Sequence, residues 1–451
     1  MGDKTFKRIF LITIDCLRGD FVGCINKRSS LTPNIDRIAA DSLLFTKAFA
    51  NGPGTNQSFP AILTSTYFLM HGGMRLRPHY ITLAEILRKN GFKTTAFHSN
   101  AFLSRSLGWD NGFNEFYDFM NGLKSPSAFI TRKQNLKNIV NWLSKAFRLT
   151  RFTYIQHLLK KYYYKFADFQ IPYLDAKELN NHVMKWLKTN KPEKFFLWMH
   201  YMDPHVPYIP PEKYLSGFSS RQDAFKYNCS INFKKIIKRD LEILRKLYVG
   251  EVKYVDEYIG KFWRYLEEKN LLEDALIILL ADHGHAFMEH DRFGHAFDIL
   301  YNEVLHVPLI IYGLKESKQI DFPVQLLDVS PTILELLNIE KPSSFTGKSL
   351  FRTLKEKQQS SPIFSESARP DLINLRYDLT KKAVSCIKAP YKLITNQLKE
   401  TVELYDIEKD FNEKKNLIDS NKDLYEEMLT LIQKHISIVD FKKKIGTLKR
   451  I

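Results

Sequence analysis

Five short runs of apolar, β-branched and aromatic residues constrain the fold of this chain more than any other feature. They are Ile9–Ile14, Thr94–His98, Lys194–His200 (KFFLWMH), Ala275–Ala281 (ALIILLA) and Val307–Tyr312 (VPLIIY). Each is of strand length and stops abruptly at polar residues, the pattern of a strand buried on both faces. The intervening stretches carry helical signals. Tyr80–Asn90 is amphipathic and ends at Gly91, Ser58–Leu69 continues as a helix, and Leu31–Ala48 alternates turn and helix signals. Apolar strands alternating with amphipathic helices imply an α/β fold, a mostly parallel sheet sandwiched by helices. Ligands of such sheets collect at the carboxyl ends of the strands. Asp15, His200–His205, Asp282 and His283 all fall there.

A chain of 451 residues suffices for one large domain and a smaller one. The expected division is a large domain over 1–355 and a C-terminal α+β subdomain over 356–451. The latter has a short sheet at Ala383–Ile407 and a helix around Lys422–Ile438, with Ser361–Lys382 as the link. A basic helical insertion is expected at about 119–175. Within it, Phe119–Ala167 holds no Asp or Glu, and Leu136, Ile139, Val140, Leu143 and Phe147 follow helical spacing. Such a segment lies on an anionic membrane, embraces a polyanion, or packs on the core with a solvated basic face. The net charge of +17 favours anionic partners, although a lysine-rich surface alone also produces it. Cys16, Cys24, Cys229 and Cys386 are scattered with no CxxC pairing, which fits a reducing compartment. The N-terminal apolar run is short and interrupted by Asp15, so no signal peptide is expected and a cytoplasmic location, at most peripheral to a membrane, follows.

Residues 51–65 read NGPGTNQSFPAILTS. Thr55 and Ser58 both precede an apolar run, and a Ser ahead of a Pro is a common helix start in which the hydroxyl takes a backbone N–H. Either hydroxyl is also a potential nucleophile. The segment Asp282-His283-Gly284-His285, directly after ALIILLA, puts a carboxylate and an imidazole where both can ligate a divalent ion. With Asp15 as a second carboxylate, a hydroxyl nearby gains a Lewis acid to stabilise its alkoxide.

The chain resembles the sulfatase branch of the alkaline phosphatase superfamily. The resemblance runs through FLITIDCLRGD, LTPNIDRIAADSLLFTKAFA, TNQSFPAILTS, MHYMDPHVPYIPP, IILLADHGHAFMEH, GHAFDILYNEVLHVPLIIY and ELYDIEKDFNEKKNL, among other blocks in the same order. It implies a nucleophile nine positions before Thr64 of ILTS, at Thr55, with Ser58 in a packing or capping role. It implies metal ligands at Asp15, Thr55, Asp282 and His283. His205 in DPHVPY and His295 in FGHAF match positions that contact the oxygens of the ester. Arg18 and Asp20 match as a buttress of the first loop, and His71, His98 and His290 are expected in the scaffold. Asp203 could join His205 and His295 at a second metal site.

Two departures matter. Formylglycine forms from Cys or Ser in a C/S-x-P-x-R signal, so Thr55 cannot supply it; Ser58-Phe59-Pro60-Ala61-Ile62 lacks the arginine and is out of register. Cys16 stands where sulfatases carry a second aspartate, which favours Mn or Zn over Ca, with Mg also possible. The expected activity is therefore metal-dependent hydrolysis or transfer of a phosphate or sulfate ester through a covalent Thr55 intermediate. The substrate would be an anionic ester, lipid- or glycan-linked, and no nucleic acid is expected. The alternatives are a sulfatase working without formylglycine and a catalytically silent module binding anionic glycans or lipids.

Overall fold

The computed structural model describes residues 5–119, 173–231, 236–356, 361–371, 374 and 376–448. Most of the basic segment expected at 119–175 lies outside the described residues. The main sheet takes its strands from β1 (Arg8–Ile14), β2 (Ser42–Phe49), β3 (Lys93–Phe97), β4 (Glu115–Tyr117), β5 (Phe195–Tyr201) and β6 (Ala275–Ala281). A two-stranded ribbon follows, β7 (Ala286–Phe287) with β8 (Phe293–Gly294), and then the sheet strands β9 (His306–Tyr312), β10 (Lys318–Ile320) and β11 (Val324–Gln325). The order is β10-β2-β9-β6-β1-β5-β3-β4, with β11 also against β2. All the pairings are parallel except those of β9, which runs antiparallel to both β2 and β6. β1, β5 and β6 are mostly apolar, Arg8, Thr13 and His200 excepted, and buried along almost their whole length, as parallel strands covered on both faces must be.

Three local expectations change. Ser58–Leu69 is not one helix: Thr55–Thr64 ends at Ser65 in the left-handed conformation, and a separate turn of helix follows at Phe68–His71. Leu31–Ala48 is not turn and helix alone: the helix Pro33–Ala40 gives way after one residue to β2. Ser361–Lys382 is not a link. It forms β12 (Ile363–Asp371) and the start of β13 (Arg376–Lys388), which pair antiparallel and continue through β14 (Tyr391–Asn396) and β15 (Thr401–Asp406). This second sheet is larger than the one expected, and the helix Lys422–Leu448 follows it.

The second sheet docks where the first one turns toward its ligand end. Ser365 Oγ donates to Ala50 O, and the Glu366 amide donates to Asn51 O at 2.8 Å. The Asn51 side chain donates to Gln325 and to Phe364 O and accepts from the Leu327 amide. These bonds fix residues 50–54, the loop leading from β2 into the helix Thr55–Thr64. Gly52 is required there, because a Cβ would lie 2.2 Å from that of Gln57. Among the described residues, no helix is long and apolar enough to cross a membrane.

Candidate active site

Strand register builds the site. Ile14 on β1 pairs with Ala281 on β6 and with Tyr201 on β5. The next residues, Asp15 and Asp282, therefore leave adjacent strands side by side at their carboxyl ends. One position earlier, Thr13 faces His200. The loop after β3 adds Asn100, and the loop after β2 delivers Thr55 as the first residue of its helix.

The resulting cluster is buried and tightly ordered. Asp15 Oδ2 accepts from Asn100 Nδ2 at 2.9 Å and faces His200 Nε2 at 3.3 Å. The His200 proton can be assigned from its surroundings. Asp15, held as a carboxylate, can only accept, so the facing Nε2 carries the proton and Nδ1 accepts from the Thr13 hydroxyl at 2.8 Å; Trp198 Nε1 donates to the same hydroxyl oxygen, which also lies 3.3 Å from Met199 O. Asp282 Oδ1 accepts from the His283 amide at 2.9 Å. The other two carboxylate oxygens, Asp15 Oδ1 and Asp282 Oδ2, have no hydrogen-bond partner at ordinary length although both residues are fully buried.

His283 Nε2 points between them, 3.5 Å from Asp15 Oδ1 and 3.6 Å from Asp282 Oδ2. Its Nδ1 lies 2.9 Å from Gly284 O, which places the proton there and leaves the Nε2 lone pair toward the carboxylates. Thr55 Oγ1 is 3.5 Å from the same Nε2 and 3.5 Å from Asn100 Nδ2. Two orphan carboxylate oxygens, an imidazole lone pair and a hydroxyl thus converge on one point. Leaving such oxygens unpaired costs several kcal/mol each unless a cation sits among them. The donor set fits a divalent ion.

The electrostatics agree. Burial and the neighbouring Asp15 push the Asp282 carboxyl well above its ordinary range. Burial acts upward on Asp15 too, but His205, His200 and His283 hold it well below the usual carboxylate value. Burial keeps His283 below the ordinary imidazole range, hence neutral and able to ligate. Without a cation one carboxylate keeps its proton; with one, both can ionise.

His205 and His295 stand half-buried at the edge of the cluster, ring centroids 5.1 Å apart, and His295 is 4.6 Å from the His283 ring. Arg18 forks onto Asp20 and also bonds Glu289 and His285 O, a buttress for the loops on either side. His285 turns away to the Tyr208 hydroxyl at 2.8 Å. His71 and His98 are buried in the scaffold, and His290 bridges Glu303 and Glu413 O. Asp203 does not join His205 and His295. It is buried against Glu251, and among the described residues it belongs to none of the groups able to hold an ion. Ser58 Oγ donates to Gly52 O at 2.9 Å and is fully buried, while the helix cap is Gly54. Ser58 is thus a packing residue of the loop rather than the cap. Replacing it by alanine orphans the Gly52 carbonyl. The expected loss is about 1–3 kcal/mol in urea unfolding, with the chemical step unchanged at saturating substrate.

Asn100 is not among the expected site residues, because it carries no charge to draw attention; His200 is expected at the ligand end of its strand but without a role, and the structure supplies one. Both are positioning residues for Asp15. His200→Leu should weaken metal binding about 10–100-fold, read by titrated thermal shift, while circular dichroism stays unchanged. A cavity of about 580 Å³ lined by Phe6, Phe92, Leu336 and Ile339 lies at the amino ends of β1 and β3, on the wrong side of the sheet for this chemistry.

The sulfatase family profile matches residues 7–339, and a profile of the N-sulphoglucosamine sulphohydrolase C-terminal region matches 289–441. The chain belongs to the sulfatase family. It is therefore an ester hydrolase of the alkaline phosphatase superfamily, in a family whose members depend on metal ions. Among its relatives, an arylsulfatase of Clostridium perfringens is 25% identical, over 94% of this chain and 92% of its own length. A multifunctional alkaline phosphatase superfamily protein of Trinickia caryophylli is 23% identical over 79% and 78%. A phosphonate monoester hydrolase of Agrobacterium radiobacter superposes with a TM-score of 0.69 at 19% identity, over 97% of this chain and 96% of its own. A structure in complex with its substrate D-glucosamine-2-N,6-O-disulfate gives 0.73 at 17%, over 97% and 98%. Those two likenesses establish the sulfatase fold.

Proposed function

We propose that this sulfatase-family protein cleaves or transfers a phosphoric or sulfuric ester by direct attack of the Thr55 hydroxyl, without formylglycine. The single observation that carries the reading is the convergence of Asp15 Oδ1, Asp282 Oδ2, His283 Nε2 and Thr55 Oγ1 on one buried point. Asp15, Asp282, His283 and Thr55 would hold one divalent ion, and Cys16 in place of a further aspartate next to Asp15 favours Mn or Zn. When bound, that ion lowers the energy of the threonine alkoxide. Thr55 opens a ten-residue helix, so the positive end of the helix dipole adds to the stabilisation of negative charge at its oxygen. Asn100 Nδ2, donating to Asp15, also reaches Thr55 Oγ1 and restrains its direction. His205 and His295 sit where they can bind the oxygens of the transferred group and protonate the leaving alcohol. Water or an acceptor alcohol then resolves the phospho- or sulfo-threonine.

Threonine is the reason to favour phosphorus. A simple alkoxide attacks phosphoryl centres directly, and the similar proteins include a phosphonate monoester hydrolase and a multifunctional alkaline phosphatase superfamily protein. Sulfate remains the second reading because relatives named arylsulfatase cover nearly the whole chain. A net charge of +17 suits an anionic ester carried on a lipid or glycan. The test is a chromogenic panel of aryl phosphate monoester, phosphodiester, phosphonate monoester and sulfate, each with Mn, Zn, Mg or Ca. Turnover of a phosphorus ester above sulfate supports the reading. Exclusive sulfate turnover overturns its phosphorus preference, and no turnover with any ester or ion overturns it entirely.

A further inference from the structure

Asp203 lies just beyond the end of β5, and Glu251 lies on the helix Lys238–Glu268; both carboxyls are buried and neither takes part in the chemistry above. Among the described residues no other group donates to Asp203 Oδ2 or to Glu251 Oε2, and the two side chains are hydrogen-bonded to each other. Two carboxylates only accept, so one of the pair carries a proton. A cation could also join them, but among the described residues no third His, Cys, Asp or Glu completes a seat with this pair. Burial and the Asp203 charge push Glu251 well above its ordinary range, and burial together with Asp175 pushes Asp203 up to about 7. Asp203 also accepts from its own amide and that of Ala176, which favours the charge there and the proton on Glu251.

Glu251 reaches the far end of the same loop, where its Oε1 accepts from the Ile209 amide at 2.5 Å. One side chain thus ties residue 203 to residue 209, with His205 between them. Further bonds hold the backbone in between. The Tyr173 hydroxyl lies 3.2 Å from both His205 O and Pro207 O. Asn228 accepts from the Tyr208 amide and donates to Tyr208 O, and Arg221 donates to Ile209 O. The His205 ring takes its direction from that backbone, because its Nδ1 lies 2.6 Å from Val206 O.

We propose that Glu251 is a positioning residue for His205: its carboxylic acid donates to Asp203, accepts from the Ile209 amide, and so closes the loop 203–209 from both ends. The inference rests on the ester-transfer reading, in which His205 binds the oxygens of the transferred group. Packing alone does not call for this arrangement. An apolar side chain of the same volume would fill the space without the cost of burying two carboxyls. What the acid adds is direction, because a donor and an acceptor at fixed points admit one loop geometry where an apolar contact admits several. His205 stands 5.1 Å from the His295 ring, and that spacing is what the tie preserves.

Hydrogen exchange of the full chain, read by mass spectrometry on peptides spanning 202–209, tests the tie with no ester present. Glu251→Met keeps the volume and loses donor and acceptor, and should exchange there about tenfold faster or more. Glu251→Gln keeps an N–H for Asp203 and a carbonyl for Ile209, and should restore the slow exchange. Turnover of the aryl phosphate, phosphonate or sulfate that the wild type cleaves fastest tests the consequence. Glu251→Met should lower kcat/KM about tenfold or more, and Glu251→Gln should recover most of that loss. In a His205→Ala background Glu251→Met should cost no more than about twofold, because an effect carried through His205 disappears with it. Equal costs in the two backgrounds make Glu251 a structural residue and overturn the proposal. Unchanged exchange in Glu251→Met overturns it as well. Should Glu251→Met not fold, Glu251→Gln decides: fast exchange with lowered turnover overturns the acid's role, and wild-type behaviour in both supports it. Faster exchange in Glu251→Met beside a wild type that cleaves no ester supports the tie and overturns the ester reading instead.

Discussion

Thr55→Ala is expected to lower turnover of whichever ester the wild-type protein cleaves by about three orders of magnitude or more. A nucleophile makes and breaks a covalent bond, so no neighbouring group can replace it in kind. The variant should keep its fold. Thr55 is buried, its hydroxyl lies 3.5 Å from both His283 Nε2 and Asn100 Nδ2, and it also interacts with the Asp282 carboxyl, so the alanine loses long polar contacts and one methyl group while the backbone of the helix is kept. Metal binding should weaken only modestly, because Asp15, Asp282 and His283 remain. Thr55→Ser should recover much of the activity, since it keeps the hydroxyl and loses a methyl group. Rapid quenching of the wild type followed by mass spectrometry should find the transferred group on the peptide containing residues 51–65, and not in the alanine variant. Turnover of Thr55→Ala within tenfold of wild type would remove Thr55 from the mechanism and return attention to bound water as the attacking group.

The degree to which this site could be read in the sequence follows from what each residue needs to be recognised. The abrupt ends of β1 and β6 placed Asp15 and Asp282 at the carboxyl edge, and their adjacency then required only that these strands pair in register. The direction of β9 was not legible, because an apolar run looks the same whichever way it is threaded. β2 was hidden for a different reason. Ile35, Ile38 and Ala39 belong to a helix and Leu43, Leu44 and Phe45 to a strand, yet only Asp41 separates the two elements and the apolar spacing runs on across it. β12 carries Pro370 and several polar residues, which read as linker. It is the outer strand of its sheet, where proline is tolerated. Asn100 and His200 could be placed only by topology: β3 lies next to β5 and β5 next to β1, which brings both residues to Asp15 from sequence distances of 85 and 185.

Asp282→Asn should produce an apparently contradictory pair of results: a metal-free protein at least as stable as wild type at neutral pH, and one that no longer gains stability from metal. The cause is the enforced closeness of two buried carboxyls. Burial and Asp15 hold Asp282 well above its ordinary value of 3.8, so in the metal-free protein it retains its proton, and asparagine replaces a neutral group of the same shape. A carboxyl with a raised pKa in the folded state holds a proton that the unfolded chain releases. Its effect is therefore absent below about pH 4 and becomes a growing destabilisation as pH rises toward the folded value. Asp15 has the opposite sign: its lowered pKa adds stability above 3.8 that is lost as pH falls through the folded value. The decline of metal-free stability above pH 4 thus belongs to Asp282, and the variant should flatten it. In the wild type a divalent ion at one hundred times its Kd adds about 2.7 kcal/mol. Binding must displace the Asp282 proton, so affinity should rise by up to tenfold per pH unit in that range, with proton release measurable by calorimetry in buffers of different ionisation enthalpy. The asparagine variant should show neither the metal-dependent shift in Tm nor the proton release, and ester turnover should fall with them. A variant that still binds the ion with the wild-type shift would mean that Asp282 is a packing residue and that the ion, if any, is held by Asp15 and the imidazoles alone.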